Sequence, residues 1–229
     1  MSLAFLSPSS GALSRSPMER QALAAGAALE ERDGWNVAVR FDGLDAERER
    51  ARSAVGFADL SHLGKVEVQG ALAAQFELGR ATWADGAWWC PYSHRRALAL
   101  CEPRELPGLR ERLGDTTAEH PGPTSVIDVT TAFAALALEG PLARELFARF
   151  TALDLRDAVA PVHAFRPGSV ARTPGAVLRQ SEERWLMLFG AALGQYMWTV
   201  VADAAESLGG GPVGVDALTP VGQEVAPRA

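Results

Sequence analysis

The spacing of apolar residues separates helices from strands along the chain. Leu193, Met197, Val200, Val201, Ala204 and Leu208 recur at helical spacing and predict a helix over 193–208. Gly209-Gly210-Gly211 follows it. After a helix such a run suits a left-handed stop better than a phosphate cradle. Leu142, Leu146, Phe147 and Phe150 form a second stripe behind Glu139-Gly140-Pro141. Near the start, Ser16-Pro17-Met18-Glu19 has the form of a capping box with proline at the first helical position. It predicts a helix to about Glu31, with Met18, Ala22, Ala25 and Leu29 on one face. Period-two alternation predicts strands over 35–41, 63–68, 126–130, 132–138, 176–180 and 185–189. Shorter strands are expected at 170–172, and at 87–89 and 96–100 around a turn at Pro91. Charged helices are expected over 44–54, with Asp45 as a possible cap, and over 103–113 despite Pro107. Gly70-Ala71 opens a short one reaching Leu78.

These elements divide at TTAEHPGPTS, residues 116–125, which is small, polar and proline-rich. The expected organisation is an arm at 1–15, a first α+β unit at 16–115, this linker, and a second α+β unit at 126–229. The two units are similar and share a core. The 229 residues are 48% hydrophobic and 22% charged, enough for a core without disulfides or metal. A formal net charge of −6 argues against nucleic acid as a partner, since such binding rests on surplus Lys and Arg. Lys65 is the single lysine. Cys90 and Cys101 lie in no CxxC or His/Cys cluster, so no metal site is expected, and both read as reduced thiols of a cytoplasmic protein. No leader and no apolar run of membrane-spanning length is evident, so no membrane contact is expected.

The stretch VGFADLSHLGKVEVQG, residues 55–70, packs Asp59, Ser61, His62 and Lys65 between two apolar runs. Asp59 and Ser61 are turn formers that bond nearby backbone N–H groups, and turn chemistry accounts for both. His62 and Lys65 are not needed for a turn; they read as a surface histidine and a solvated strand lysine, or as ligand contacts.

The order of these residues resembles the glycine-cleavage T-protein superfamily, whose pattern runs roughly "vGlfDlShmgkv.v.G". Asp59, Leu60, Ser61, His62, Gly64, Lys65 and Gly70 match it. The second half, through Asp128, Leu138, Gly140, Pro141, Ala143, Arg144, Leu153, Asp154 and Leu155, is most similar to the gamma subunit of sarcosine oxidase. Gly214, Asp216, Ala217, Leu218 and Glu224 resemble a later T-protein segment, after which catalytic T-proteins continue into another domain. The resemblance implies a folate pocket between the halves, lined by His62, Lys65 and Trp88 or Trp89.

Two departures bear on activity. Where T-proteins carry "dGGviDDl", this chain has Asp85-Gly86-Ala87-Trp88-Trp89-Cys90-Pro91, with Cys90 and Pro91 at the paired acids. A thiol is neutral near pH 7 and cannot replace a fixed carboxylate. Asp85 is the candidate catalytic acid if one has moved. Where T-proteins carry "yTGExGyE", Thr173 to Gln180 offers no glutamate to hold a pterin edge; Gln180, Glu182 and Glu183 are the nearest polar groups. The resemblance therefore implies a non-catalytic accessory subunit docking on larger flavin- and folate-using oxidase subunits, or forming a homo-oligomer. Flavin would then enter only through a partner, and tetrahydrofolate would bind weakly for want of acids. The alternative is a tetrahydrofolate-dependent aminomethyltransferase or a stand-alone folate binder. His94-Arg95-Arg96 reads as a solvated turn, and His120 and His163 as surface residues.

Overall fold

A computed structural model describes residues 13–119 and 123–219. In chain order it contains β1 (Ser14–Arg15), α1 (Glu19–Ala24), β2 (Ala28–Arg32), β3 (Trp35–Arg40), α2 (Leu44–Ser53), β4 (Gly56–Asp59), β5 (Gly64–Gln69), β6 (Thr82–Ala84), β7 (Ala87–Ser93) and β8 (Arg96–Cys101). There follow α3 (Leu106–Glu119), β9 (Ser125–Asp128), β10 (Phe133–Glu139), α4 (Ala143–Ala148), β11 (Phe165–Val170), β12 (Thr173–Arg179), β13 (Arg184–Gly190), α5 (Gly194–Glu206) and β14 (Gly211–Pro212). Short 3-10 turns lie at Ala71–Gln75, Pro103–Glu105, Ala191–Leu193 and Val215–Ala217. The fold is mixed α+β. Among the described residues no helix is long and apolar enough to cross a membrane.

Two large sheets carry the architecture. One has the order β11-β12-β13-β10-β4-β14, the other β6-β7-β8-β5-β9, and a third, small sheet is β1-β3-β2. Alternating residues of the large sheets meet in a central apolar layer, Trp88, Leu98 and Leu100 from one and Leu178, Leu186 and Leu188 from the other, with Leu63 of the segment before β5 among them. The outer face of the six-stranded sheet packs Leu136, Trp185 and Phe189 under Met18, Leu146, Phe147 and Val201 of the helical side. The outer face of the five-stranded sheet packs Val66, Ala99 and Trp89 under Leu109 and Leu113 of α3. Burying each such large side chain contributes roughly 1.5–3 kcal/mol. Sheets buried on both faces explain why β10 (FAALALE) and β13 (RWLMLFG) are nearly continuous apolar runs.

The sheets do not follow the order of the sequence. β4 pairs antiparallel with β10, Phe57 opposite Leu138, whereas β5, five residues later, pairs with β8 and β9 in the other sheet. β9 likewise belongs to the five-stranded sheet and β10 to the six-stranded one. The chain therefore passes between the sheets twice, at 60–63 and at 129–132.

Several elements differ from the pattern-based expectation. The first helix ends at Ala24, not near Glu31, because Gly26 takes a left-handed φ of +91° and the chain turns into β2. Its capping box does not form: Ser16 Oγ accepts from the Met18 N–H (3.0 Å) and donates to Asp59, while Glu19 faces Arg15. Asp45 does not cap α2; the cap position is Gly43, and Glu47 binds the preceding turn instead. Pro91 lies inside β7, beyond the last residue paired to β6, and the reversal comes at 93–96 after a register shift. Residues 171 and 172 are a turn, with Ala171 and Arg172 both left-handed, preceded by a strand, β11, that alternation did not reveal. α3 extends to Glu119, into the expected linker. His120, expected at the surface, lies outside the described residues. Gly209 does close α5 in a left-handed conformation, φ +74°.

Candidate functional site

The motif at 55–70 builds the first crossing between sheets. Asp59 Oδ1 accepts the Ser61 N–H at 2.9 Å, the hydrogen bond of an Asx turn. The Ser61 hydroxyl oxygen accepts the Ala135 N–H at 3.3 Å, and Leu60 N–H donates to Ala135 O at 2.9 Å. Lys65 is fully buried. Its ammonium donates to Ser61 O (2.9 Å), Leu63 O (2.8 Å) and Thr130 O (3.4 Å), so all three donors are spent on the two crossings. The expectation of a solvated lysine is corrected: strand alternation turns Lys65 inward, and the carbonyls freed where two strands leave their sheets receive it. Burial pulls its pKa down to about 8, against the pull of Asp59, Cys101 and Asp128. His62, half-buried beside it, is held down to about 4 by burial and by the charges of Lys65 and Arg32. Burial raises the Asp59 carboxyl, partly offset by its bonds from Ser16 and Ser61.

Asp85 occupies the exposed tip of the β6–β7 hairpin. Asp85 and Gly86 both have left-handed φ (53° and 76°), as a two-residue type I′ turn demands. Its carbonyl accepts from Arg112 at 3.2 Å.

Trp88 and Trp89 are successive strand residues and point to opposite faces. Both are buried. Trp89 stacks on Phe76 (4.6 Å, 14°) in the outer layer and donates to Ala84 O at 3.3 Å. Trp88 lies in the central layer between Trp83 (5.4 Å) and His163 (5.1 Å), so His163 is not a plain surface residue. Cys90 and Pro91 are both buried in β7, and burial drives the Cys90 thiol up, which keeps it neutral. The cysteines are free: Cys90 faces Leu98 across the ladder and Cys101 faces Ala87. Arg96, in the expected solvated turn, pairs with Glu67 at 2.5 Å.

On the other sheet, Gln180 Oε1 accepts from Arg184 Nε at 3.1 Å. Arg179 is buried over Trp185 (4.9 Å) and ion-paired to Asp157 at 2.6 Å. Where the sheets meet there is a cleft lined by Leu63, Trp83, Trp88, Glu102, Gln180 and Leu186, with a volume of about 10 Å³, no more than one water needs. Sequence reasoning missed Glu102, Trp83 and His163 here. Only the left-handed His163 backbone, φ 70°, is unusual in itself, and no sequence signal announces it.

The residues expected to hold a reduced folate therefore do not converge. Of His62, Lys65, Asp85, Trp88 and Trp89, Trp88 alone lines this cleft; Lys65 is saturated, Asp85 is on an exposed turn, and Trp89 faces the far side. A folate fits that set badly, and no chemical step is derived through it.

No family model matches the chain. An aminomethyltransferase of Frankia alni is 30% identical over 90% of this chain and 62% of its own length. A probable aminomethyltransferase of Halobacterium salinarum is 30% identical over 59% of the chain and 44% of its own length. One from Desulforamulus reducens is 41% identical over 64 residues, 28% of this chain and 18% of its own length. The chain thus spans less than two thirds of these curated relatives. Among solved structures, the glycine cleavage system aminomethyltransferase T of Bartonella henselae superposes with a TM-score of 0.71 at 17% identity, covering 90% of this chain and 60% of that one. A chain of the heterotetrameric sarcosine oxidase of a Corynebacterium species, solved with pyrrole 2-carboxylate, gives 0.64 at 20% identity, covering 91% and 98%. With shared sequence across nearly its whole length and a shared fold, the chain belongs to the glycine-cleavage T-protein superfamily.

Proposed function

We propose that the chain is a non-catalytic accessory subunit of T-protein type, docked on a larger flavin- and folate-using complex that oxidises N-methyl amines in the cytoplasm. One observation carries this reading. Cys90 and Pro91 stand where the resemblance calls for paired acids, and both are buried without charge in β7. A site lacking fixed negative charge cannot align and stabilise a cationic one-carbon carrier. The sarcosine oxidase chain is matched over 98% of its length, which supports the comparison with a subunit of such an assembly. Flavin chemistry then belongs to the partner. The test is tagged purification from the native host. A stoichiometric flavoprotein in the complex is expected; a monomer or homo-oligomer with no flavoprotein at any stage of purification overturns the reading.

A second reading, a tetrahydrofolate binder or tetrahydrofolate-dependent aminomethyltransferase, is favoured by the Frankia alni match across 90% of the chain. Calorimetry with tetrahydrofolate separates the two. Binding tighter than about 1 mM supports the second, and no heat supports the first.

A further inference from the structure

We infer that the free edge of β9 is an interface between two copies of this chain, paired antiparallel about a twofold axis at Ile127. Such a dimer is independent of both functional readings and of any ligand in the cleft.

β9 ends the five-stranded sheet. Its inner side pairs with β5, and just beyond it the Val129 N–H donates to Lys65 O at 2.9 Å. In the same register Ile127 bonds to Glu67, so by alternation the N–H and C=O groups of Val126 and Asp128 point away from β5. Among the described residues none of these four groups has a backbone partner. Ile127 is 47% exposed, unusually open for a large apolar strand residue. Beside the edge lies a groove of about 570 Å³ lined by Pro107, Arg110, Glu111, Gly114 and Val126. The other sheet edges are blunted: β11 by Pro167, β14 by Pro212 and β2 by Glu30, Glu31 and Arg32, while β1 and β6 have only two and three residues. The sequence SVID of β9 carries no proline, glycine or lysine.

The edge is complementary to itself. With Ile127 on the axis, Val126 of each copy stands opposite Asp128 of the other, and each such pair exchanges two backbone hydrogen bonds. Ile127 meets its own mate at the non-hydrogen-bonded position, where side chains come closest. Glu67, opposite Ile127 on β5 and ion-paired to Arg96, gives that apolar centre a polar rim. On the α3 side, Val126 of the second copy enters the groove. Charge does not oppose the approach: Asp128 already accepts the Thr130 N–H at 3.0 Å and Arg110 at 3.3 Å. A second copy supplies the matching register by symmetry alone, and the closed twofold contact leaves neither β9 edge free.

The test is sedimentation equilibrium of the full chain over about 1–300 µM. Four residues a side make a small contact, so a reversible dimer with a dissociation constant of about 10–100 µM is expected. Val126→Pro removes an outward N–H without touching a bond to β5, and Ile127→Lys sets like charges face to face. Each should weaken the dimer about tenfold or more while keeping the wild-type circular dichroism spectrum. Ile127→Cys treated with diamide should cross-link two chains, two thiols giving one disulfide as the diamide is reduced. It should do so about tenfold faster than Ser125→Cys, whose mate stands too far off in this register. A monomer throughout that range, a dimer that both substitutions leave unchanged, or equal cross-linking of the two cysteines overturns the inference. Should Val126→Pro not fold, Ile127→Lys and the cross-linking decide.

Discussion

Lys65 and Thr130 are joined twice: the Lys65 N–H donates to Thr130 Oγ1 at 3.0 Å, and its ammonium to Thr130 O at 3.4 Å. The same ammonium holds Ser61 and Leu63, so one side chain ties together both places where the chain changes sheets. Lys65→Met would leave those carbonyls without a donor in an apolar layer. We expect a loss of about 2–4 kcal/mol at pH 7, read by urea denaturation with unchanged m-value.

The pH dependence of that loss has a definite sign. Lys65 binds its proton more weakly folded (about 8) than unfolded (10.5). Between those values the unfolded chain holds the extra proton, so this group makes stability rise with pH, by about 3 kcal/mol across the window. Cys101, raised to about 11, and Tyr92, also raised, act the other way above pH 9. The measurement is therefore the wild-type curve minus that of Lys65→Met at pH 7, 9 and 10.5. A difference that does not grow with pH rules out a buried, weakened ammonium.

His62 acts with the same sign on the acid side. Its folded pKa, about 4, lies below the unfolded 6.5, so the folded state resists protonation and stability is lost as pH falls through that interval. His62→Gln should lose less stability than wild type between pH 6.5 and 4.5, by about 2 kcal/mol. Parallel thermal-unfolding curves for the two proteins would show that the imidazole is solvated.

Much of this fold is legible in sequence because its strongest elements obey one period each. α5 carries a full stripe, and the strands at 64–69, 133–139 and 184–190 stand within two residues of their expected bounds. The failures have physical causes. A helical pattern at 16–31 loses to one glycine in the left-handed region, and β11 (FRPGSV) has neither alternation nor propensity, being held by pairing to β12. The exchange of β4 and β9 between sheets leaves no local mark. The site was half-legible: the Asp59–Lys65 motif and Trp88 stand out along the chain, but Gln180 and Leu186 reach the cleft beside Trp88 only because two sheets pack, which no spacing encodes.

Asp85 separates turn chemistry from catalysis. At φ 53° an aspartate or asparagine is tolerated and a β-branched residue is strained. Asp85→Asn should leave stability within about 0.5 kcal/mol, and Asp85→Val should cost about 1–2 kcal/mol. If the intact complex turns over an amine substrate, Asp85→Asn should leave the rate unchanged; a hundredfold fall would make this carboxylate the relocated acid.

A change of comparable cost lies away from the cleft. Glu47 is fully buried, and its carboxylate accepts four backbone N–H groups: Phe41 (2.7 Å), Asp42 (3.0 Å), Gly43 (3.1 Å) and Gly214 (2.6 Å). It locks the β3–α2 turn to the segment that follows β14. Gly214 is required there because a Cβ would run into Val39 O. Glu47→Gln keeps the shape but turns one acceptor oxygen into a donor facing N–H groups. A loss of about 2–4 kcal/mol is expected. Gly214→Ala should cost a similar amount by forcing the segments apart. Because the two substitutions act on one contact, their losses should fall short of additive by 1 kcal/mol or so in a double-mutant cycle. Full additivity would mean that the carboxylate and the glycine stabilise the fold independently.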